Sequence, residues 1–187
     1  PRVVGLTVRL ATASLVGLFT VVVAAGLAFG GPALYSKTDQ FRSTATLDGL
    51  QYVKDRYPFE YAAVEWLRAN AKQGDVIVEA SPGITRPTGD YDPAVSRISQ
   101  RTGLATILGW PGHEHQWRGN PFDPILSRHK DVGVIYRDGT SDEVMETLAR
   151  YGVTFVVVGN LERRTYGRDV ADRFEDILDT VFENRGV

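Results

Sequence analysis

Residues 140–158, TSDEVMETLARYGVTFVVV, contain the clearest fold signal of the chain, a helix followed directly by a buried strand. Thr140 and Glu143 have the spacing of a capping box, in which each side chain binds a free backbone amide at the start of a helix. Gly152 stands where this helix should end, because glycine tolerates the left-handed conformation that follows a last turn. The run at 154–158 has almost no polar alternation, which predicts a strand buried on both faces. The apolar face of the predicted helix consists of Val144, Met145, Leu148 and Tyr151.

The segments before this unit repeat the alternation of helix and strand. Pro58 suits a first helical position, and apolar residues at helical spacing continue to about Lys72. Strands are predicted at residues 76–80, 104–108 and 132–136, with short helical segments at about 47–55, 96–101 and 120–130 and a last helix from about 169 to 186. This alternation predicts a three-layer α/β domain with a mainly parallel sheet over residues 58–187. The strands at 76–80, 104–108 and 154–158 should be neighbouring central strands, and a further strand is expected where the chain stops.

The start of the chain is a separate, strongly apolar segment. No charged residue occurs from Leu10 to Leu34, a length of about 25 residues or roughly 37 Å as a helix, which is enough to cross a bilayer with some tilt. Residues 1–35 are therefore predicted to form a transmembrane helix, and the polar residues 36–57 a connecting segment. A cleavable signal peptide has a shorter apolar core and follows a Met, whereas a buried soluble helix carries a polar face. Since the chain begins with Pro1, we expect it to be a piece of a longer protein.

Charge and composition indicate a side of the membrane and disfavour several classes of function. Arg2 and Arg9 favour the cytoplasm before the apolar segment, so residues 36–187 should be extracytoplasmic at the cell membrane. Without these two positive charges the formal net charge falls from −2 to −4, and no basic stripe indicates nucleic acid as a partner. The chain has no Cys, which excludes disulfides and thiolate chemistry. Nucleophile-elbow, P-loop and dinucleotide-binding motifs are missing, and no cofactor is expected in this part of the protein.

Residues 110–118, WPGHEHQWR, combine two tryptophans with several hydrogen-bonding side chains directly after the predicted strand at 104–108. A turn requires none of these side chains, and open α/β sheets bind ligands at the carboxyl ends of their strands. Aromatic faces next to Glu, Gln and Arg suit a sugar or a polyprenyl-linked phosphate. The alternative is a structural loop whose tryptophans fill the core, with Arg118 in a salt bridge to Glu114 or Asp123. The predicted substrate-binding residues are Trp110, His113, Glu114, Gln116, Trp117, Arg118 and, as a second anion-binding candidate, Arg97.

The two histidines of this stretch also allow a metal-binding interpretation. In an extended segment His113 and His115 share a face, so both imidazoles could reach one cation, with Glu79, Asp90 or Asp92 as a third ligand. The spacing differs from the His-Glu-x-x-His motif of zincins. The structural alternative places one histidine on a backbone carbonyl and the other in solvent, and no metal site is predicted.

Other ionisable residues follow the predicted strands. Glu79 ends one strand and is either a general base or, as we favour, an internal salt-bridge partner. Glu162, Arg163 and Arg164 follow the last strand, and such adjacent opposite charges are typical of a solvated turn. The three prolines and two glycines at 81–95 predict a long irregular loop, and such loops in compact domains are often functional.

Several motifs together resemble the C-terminal part of a known family. They are Glu60-Tyr61-Ala62-Ala63 with Trp66-Leu67, residues 76–80, Ser96-Arg97-Ile98-Ser99, residues 102–110, the pattern Gly-Trp-x-x-His-Glu-x-Gln-Trp-Arg at 109–118, and residues 151–163. From about Pro58 to Val187 the chain resembles the YYY-type family (Chlor_Arch_YYY) of multi-spanning membrane proteins of archaea and Chloroflexi-like bacteria. The pattern at 109–118 is the specific part of this resemblance, and His115 stands at a variable position within it. In layout the family is similar to GT-C glycosyltransferases, which use polyprenyl-phosphate-linked sugars and carry their catalytic acidic residues in loops before this region.

The resemblance implies that this chain is the C-terminal fragment of a membrane-embedded GT-C-like glycosyltransferase whose catalytic residues lie outside it. Residues 110–118 would assist binding of a polyprenyl-linked sugar, with the lipid bilayer and the remaining transmembrane part of the same protein as partners. The alternative from another class is a non-catalytic extracytoplasmic interaction or scaffolding domain, and a self-contained metal hydrolase is a third hypothesis. Acidic residues in a first outer loop of the upstream sequence would favour the transferase.

Overall fold

The chain divides into two compact units, Pro1–Leu47 and Asp48–Val187. The structure is a computed structural model that describes residues 2–42, 45–83, 92–119 and 122–184. The second unit begins within the predicted connecting segment, because residues 51–56 form a helix that buries Val53 completely.

The first unit consists mainly of helix α1, Arg2–Lys37. Its apolar part, Thr7–Lys37, contains an 18-residue window with a mean hydropathy of 2.2 and is long and apolar enough to cross a membrane. The hydroxyls of Thr12 and Thr20 donate to the carbonyls four residues earlier, at 2.9 Å and 2.8 Å, so these polar groups are satisfied without water. The prediction of one long apolar helix at the start of the chain is confirmed.

The second unit contains short helices around a small sheet. The elements are α2 (Gln51–Arg56), α3 (Pro58–Asn70), β1 (Val76–Val78), α4 (Arg97–Thr102), β2 (Ala105–Thr106), α5 (Pro111–Arg118), α6 (Asp123–Gly133), a π-helical turn (Val134–Asp138), α7 (Ser141–Tyr151), β3 (Val153–Val156), α8 (Asn160–Tyr166) and a 3-10 turn (Asp172–Phe174).

Helix α7 has the two ends that the sequence predicts. The Glu143 amide donates to the Thr140 hydroxyl at 3.4 Å, and the Thr140 amide donates to the Glu143 carboxylate at 2.7 Å, which completes the capping box. At the other end Gly152 has φ of 62° and ψ of 35°, the left-handed conformation that glycine adopts without a steric penalty. Strand β3 follows at once.

The sheet is parallel, with the order β2-β1-β3 among the described residues. The predicted strands at 76–80, 104–108 and 154–158 are therefore neighbours, as expected. The expectation that all three are central and buried on both faces is wrong, because β2 and β3 are the outer strands and expose Ala105 and Thr154. The apolar run that predicted the strand at 104–108 extends beyond β2, because Ile107 and Leu108 are buried in the core after the strand has ended.

Successive side chains of the central strand belong to two different hydrophobic clusters. Ile77 packs in a cluster with residues of α3 and α4, including Val64 and Ile98. Val78 packs in the larger cluster, which includes residues of α6, the π-helical turn and α7 together with Val170 and Phe174. This division follows from the alternation of side chains along a strand.

Two predicted elements beyond the sheet are wrong. Residues 132–136 form the end of α6 and the π-helical turn instead of a strand, and their buried residues Val132, Ile135 and Tyr136 have helical spacing. The predicted last helix at 169–186 is replaced by the 3-10 turn and irregular chain as far as residue 184, and residues 185–187 lie outside the described part. Arg173 in this turn donates to the carbonyls of Ile135 and Arg137, which are free at a helix end.

Candidate functional site

The stretch at 110–118 is helix α5, and the prediction of an extended loop is wrong. Pro111 occupies the first turn, where its fixed φ favours a helix and its missing N–H costs nothing. Glu114 lies in the same turn, where its carboxylate oxygen Oε1 accepts the backbone amide of Gly109 at 2.8 Å. A carboxylate is favoured there by the partial positive charge of a helix start.

An open cavity of about 510 Å³ lies along α5, within the usual size range of small-molecule sites. Five of the seven predicted substrate-binding residues line it, whereas Gln116 and Arg97 do not. Ser96 and Gln100 of the α4 region also line it, and neither was predicted as a site residue. The lining residues are Ser96, Gln100, Gly109, Trp110, His113, Glu114, Trp117 and Arg118.

The two tryptophans of the cavity differ in how firmly they are held. The Trp110 indole donates to the carbonyl of Val95 at 3.1 Å, and its ring meets that of His113 edge-on with centroids 4.9 Å apart. The side chain of Trp117 is 87% exposed. The hydrogen bond and the ring contact therefore hold Trp110 in place at the cavity, while Trp117 presents a large aromatic face to solvent.

Arg118 forms the salt bridge to Glu114 that the structural alternative described, with 3.3 Å between Nε and Oε2. The Arg118 side chain nevertheless remains more than half exposed at the cavity. An i,i+4 pair whose arginine is solvated contributes little to stability, so the guanidinium of Arg118 can exchange partners even though the Glu114 side chain is only 21% exposed.

The helical conformation separates the two histidines. Residues two positions apart on a helix point about 200° away from each other, so the shared face of the metal hypothesis does not exist. His113 contacts Trp110, whereas His115 packs edge-on against Phe122 at 4.8 Å. In the described part of the chain, no three His, Asp or Glu residues are grouped as metal ligands. Asp90 lies outside the described residues.

Ser96 has an unusual backbone and a buried hydroxyl at this cavity. It is a non-glycine residue with φ of 58°, a conformation that costs energy and is enriched at functional sites. Its Oγ is buried without a hydrogen-bond partner among the described residues. The Oε2 of Glu114 is also buried and accepts no hydrogen bond, but it pairs with Arg118. Ser96 Oγ and Glu114 Oε1 flank Gly109, at 3.6 Å and 3.4 Å from the position that a Cβ atom would take there. Polar atoms without partners next to a cavity are suited to a ligand.

A second group of polar side chains surrounds Arg97, which is completely enclosed. Its Nη1 and Nη2 donate to the two carboxylate oxygens of Glu162 at 3.2 Å and 2.8 Å in a bidentate fork, and its Nε donates to Glu60 at 2.6 Å. Glu79 approaches Nη1 at 3.7 Å, and Arg101 pairs with the other oxygen of Glu60. We call these five residues the Arg97 cluster.

Backbone amides complete the environment of the two buried carboxylates. Glu79 accepts the amides of Ile98 and Ser99 at 3.0 Å and 2.9 Å. Glu162 accepts those of Ala80 and Gly159, both at 2.8 Å. Each carboxylate therefore joins segments that are distant in the sequence.

Burial and charge act differently on the two carboxyl groups. Burial raises the pKa of Glu79, although its two backbone hydrogen bonds and Arg97 act against this. Burial would also raise the pKa of Glu162, but the charge and the hydrogen bonds of Arg97 outweigh it and hold that pKa below the ordinary value. The pKa of Arg97 is raised: burial alone would lower it, and the carboxylate of Glu162 more than compensates.

The contacts of the Arg97 cluster show whether its charged residues pair internally, bind a ligand or face solvent. Arg97 binds anions, but they are carboxylates of its own chain, and only 4% of its side chain is exposed. Glu79 is an internal salt-bridge partner, as favoured from the sequence. The prediction of a solvated turn at 162–164 is wrong for Glu162, which is fully buried in the first turn of α8.

The chain was also compared with known proteins. No protein-family model, no curated protein and no solved structure matches it.

Proposed function

We propose that this chain is the C-terminal, membrane-anchored part of a GT-C-like glycosyltransferase that uses a polyprenyl-phosphate-linked sugar, as its resemblance to the YYY-type family implies. Helix α1 would be the transmembrane helix, and residues 36–187 would lie on the extracytoplasmic side of the cell membrane. The length and hydropathy of α1 support the anchor, and Arg2 and Arg9 at its start support the sidedness.

The observation that carries the proposal is the cavity along α5. A sugar ring offers apolar C–H faces and hydroxyl edges, which match an exposed indole beside hydrogen-bonding side chains. Trp117 supplies the aromatic face, and Ser96 supplies a buried hydroxyl without a hydrogen-bond partner among the described residues. Arg118 adds an exposed guanidinium at the cavity, suited to a phosphate.

The positions of the acidic residues support a binding role rather than a catalytic one. Among the described residues that line the cavity, Glu114 is the only carboxylate, and Arg118 already pairs with it. Glu79 and Glu162 are enclosed with Arg97 and have no access to a substrate. This distribution agrees with catalytic acids that lie elsewhere in a longer protein.

We also infer a three-layer arrangement for the second unit. Its support is the division of the β1 side chains between two clusters, with α3 and α4 contributing to one and α6 and α7 to the other. Such a sheet covered on both faces is the usual setting for parallel strands.

The exposed ring of Trp117 also favours a second candidate function. A protruding tryptophan beside an arginine is typical of a hot spot in a protein–protein interface. In that case the unit would be an interaction or scaffolding domain, and the partner would bind the same face of α5.

Binding measurements on matched variants distinguish these functions. The full chain in nanodiscs would be titrated with a polyprenyl-phosphate-linked hexose, with Met145→Ala as control because Met145 is an exposed apolar residue of α7, away from the cavity lining. Trp117→Ala should weaken binding about tenfold, or about 1.4 kcal/mol, and leave unfolding within about 0.5 kcal/mol of the parent.

Substitutions of the polar residues of α5 test which side chains contact the ligand. Glu114→Gln and Arg118→Ala should also weaken binding, whereas a loss on Gln116→Ala would show that the ligand reaches beyond the cavity. Unchanged hexose binding in Trp117→Ala and Arg118→Ala would contradict the transferase proposal. The same two variants losing a protein partner would favour the interaction domain.

A further inference from the structure

The corner between α2 and α3 is an exposed aromatic and basic surface that the proposed function does not use. All residues from Lys54 to Phe59 are exposed, and they include Arg56, Tyr57 and Pro58. Tyr57 and Phe59 are 53% and 47% exposed on either side of the turn. The half-exposed Tyr52 adds a third aromatic ring one helical turn earlier. We call residues 52–59 the α2–α3 corner.

The charge of the α2–α3 corner is locally positive in an acidic chain. Lys54 and Arg56 are exposed, while the nearby Asp55 carboxylate accepts a hydrogen bond from the Gln51 amide at 2.9 Å. Glu60, the next acidic residue, turns inward and pairs with Arg97 and Arg101. The corner therefore presents two cations and three aromatic rings, with one carboxylate among them.

The same combination occurs at the end of α1. Tyr35 and Phe41 are exposed and meet edge-on with centroids 5.7 Å apart, next to Lys37 and Arg42. Tyrosine and basic residues concentrate where a membrane meets water, because one part of each side chain is apolar and the other is hydrated. Both segments thus have the composition of a membrane interface.

The chain between these two segments is short. Ten residues, 38–47, separate the end of α1 at Lys37 from the second unit at Asp48. Fully extended, ten residues span at most about 35 Å. A unit tethered this closely to a membrane-crossing helix is held at a high effective concentration near the lipid surface.

We propose that the α2–α3 corner is a second membrane contact, in which Tyr57 and Phe59 enter the headgroup region of the bilayer while Lys54 and Arg56 bind anionic phospholipid headgroups. This inference rests on the proposed anchoring of α1. Two aromatic side chains bury apolar area in the interface, and each basic residue gains from the negative surface potential of an anionic leaflet. A lipid surface fits this mixture better than a protein partner, whose interface cores are depleted of lysine.

The chain has no Cys, so a single introduced cysteine carries a label specifically. Asp55→Cys places an environment-sensitive nitrobenzoxadiazole label at the corner, and Met145→Cys places it on exposed α7 as control. The full chain is reconstituted in vesicles of phosphatidylcholine and phosphatidylglycerol that contain headgroup-nitroxide lipids. The label at position 55 should be quenched strongly and the label at 145 weakly.

Variants of the corner then test the residues. In the Asp55→Cys background, Tyr57→Ser with Phe59→Ser should remove most of the quenching. Lys54→Glu with Arg56→Glu should reduce it in anionic vesicles, and it should do so less in vesicles of phosphatidylcholine alone. Tryptophan fluorescence would verify that each variant remains folded.

Three outcomes would overturn the inference. Equal quenching at positions 55 and 145 would mean that tethering alone brings the unit close to lipid. Quenching that appears only at high protein-to-lipid ratio would assign the corner to a second copy of the chain. If the label is not quenched in protein that resists alkaline carbonate extraction, the corner contact alone is refuted. If carbonate extracts the chain from the vesicles, the anchoring of α1 is overturned as well.

Discussion

Replacing Arg97 by Met should destabilise the second unit strongly, because this one cation compensates two fully buried carboxylates. Arg97→Met retains much of the apolar volume but leaves Glu79 and Glu162 without their common guanidinium. Glu60 keeps its pair with Arg101 and should contribute less. Removal of one partner from a buried ion pair typically costs about 3–5 kcal/mol. We expect a loss in that range, a large part of the total stability of an ordinary domain.

The pH dependence of this loss identifies its electrostatic origin. In the parent protein Glu162 has a lowered pKa, so its contribution is present above the ordinary value of 4.5 and is lost as the pH falls through the lower folded value. Glu79 has a raised pKa, so its ionisation costs stability as the pH rises past 4.5. Without Arg97, burial should raise the pKa of both groups. The folded variant then binds more protons than the unfolded chain, and the deficit should shrink as the pH falls from 8 towards 5.

Denaturant unfolding of the full chain in detergent micelles, followed by tryptophan fluorescence, measures this loss. All three tryptophans, Trp66, Trp110 and Trp117, belong to the second unit, so the signal reports on that unit alone. The matched control is Arg97→Met combined with Glu79→Gln and Glu162→Gln, which removes the uncompensated charges. This triple variant should recover part of the stability and lose the pH dependence.

Two results would refute the reasoning. A loss below about 1 kcal/mol for Arg97→Met would mean that the cluster behaves like an exposed ion pair. A deficit that stays constant or grows on acidification would mean that Glu79 and Glu162 do not take up protons when Arg97 is absent.

Two further predictions concern local stability. Thr140→Ala removes the hydroxyl of the capping box and should cost about 1 kcal/mol in the same unfolding assay, while Thr140→Ser should be nearly neutral; equal effects of the two substitutions would contradict a hydrogen-bonding role. The buried hydroxyl of Tyr136 lies 2.9 Å from the carbonyl of Val78 and 2.7 Å from that of Val157, so Tyr136→Phe should destabilise by about 1–3 kcal/mol. An unchanged denaturation midpoint for Tyr136→Phe would show that these carbonyls do not depend on the hydroxyl.

Secondary-structure elements that depend on residues close together in the sequence could be predicted from the sequence. The apolar run of α1, Pro58 at the start of α3 and the capping box of α7 each depend on neighbours within one or two helical turns. Helix α5 also has such signals, Pro111 and Glu114 in its first turn, but the glycine and the many polar residues at 110–118 suggested a loop. Residues 132–136 were predicted as a strand because five mostly apolar residues fit the period of a strand as well as that of a helix. Only the burial of residues at helical spacing in the folded chain distinguishes the two.

The surroundings of the candidate site depend on contacts that are distant in the sequence. Ser96 was not predicted, because a left-handed serine with a buried hydroxyl has no local pattern. The side chains at 110–118 were identified from their composition, and five of the six predicted there line the cavity. Gln116 was predicted with them, but the helical conformation places it away from the cavity lining.

The sequence by itself determined the apolar helix, both ends of α7 and the presence of three parallel strands, since hydrophobic period and capping chemistry act over a few residues. Only the tertiary structure decided the state of the charged residues. Arg97 lies 37 positions from Glu60 and 65 from Glu162, and Glu162 is fully buried although the charges next to it in the sequence are typical of a solvated turn. A charged group can be buried only where nearby partners offset the cost of removing it from water. The packing of β1, α4 and α8 brings those partners together here.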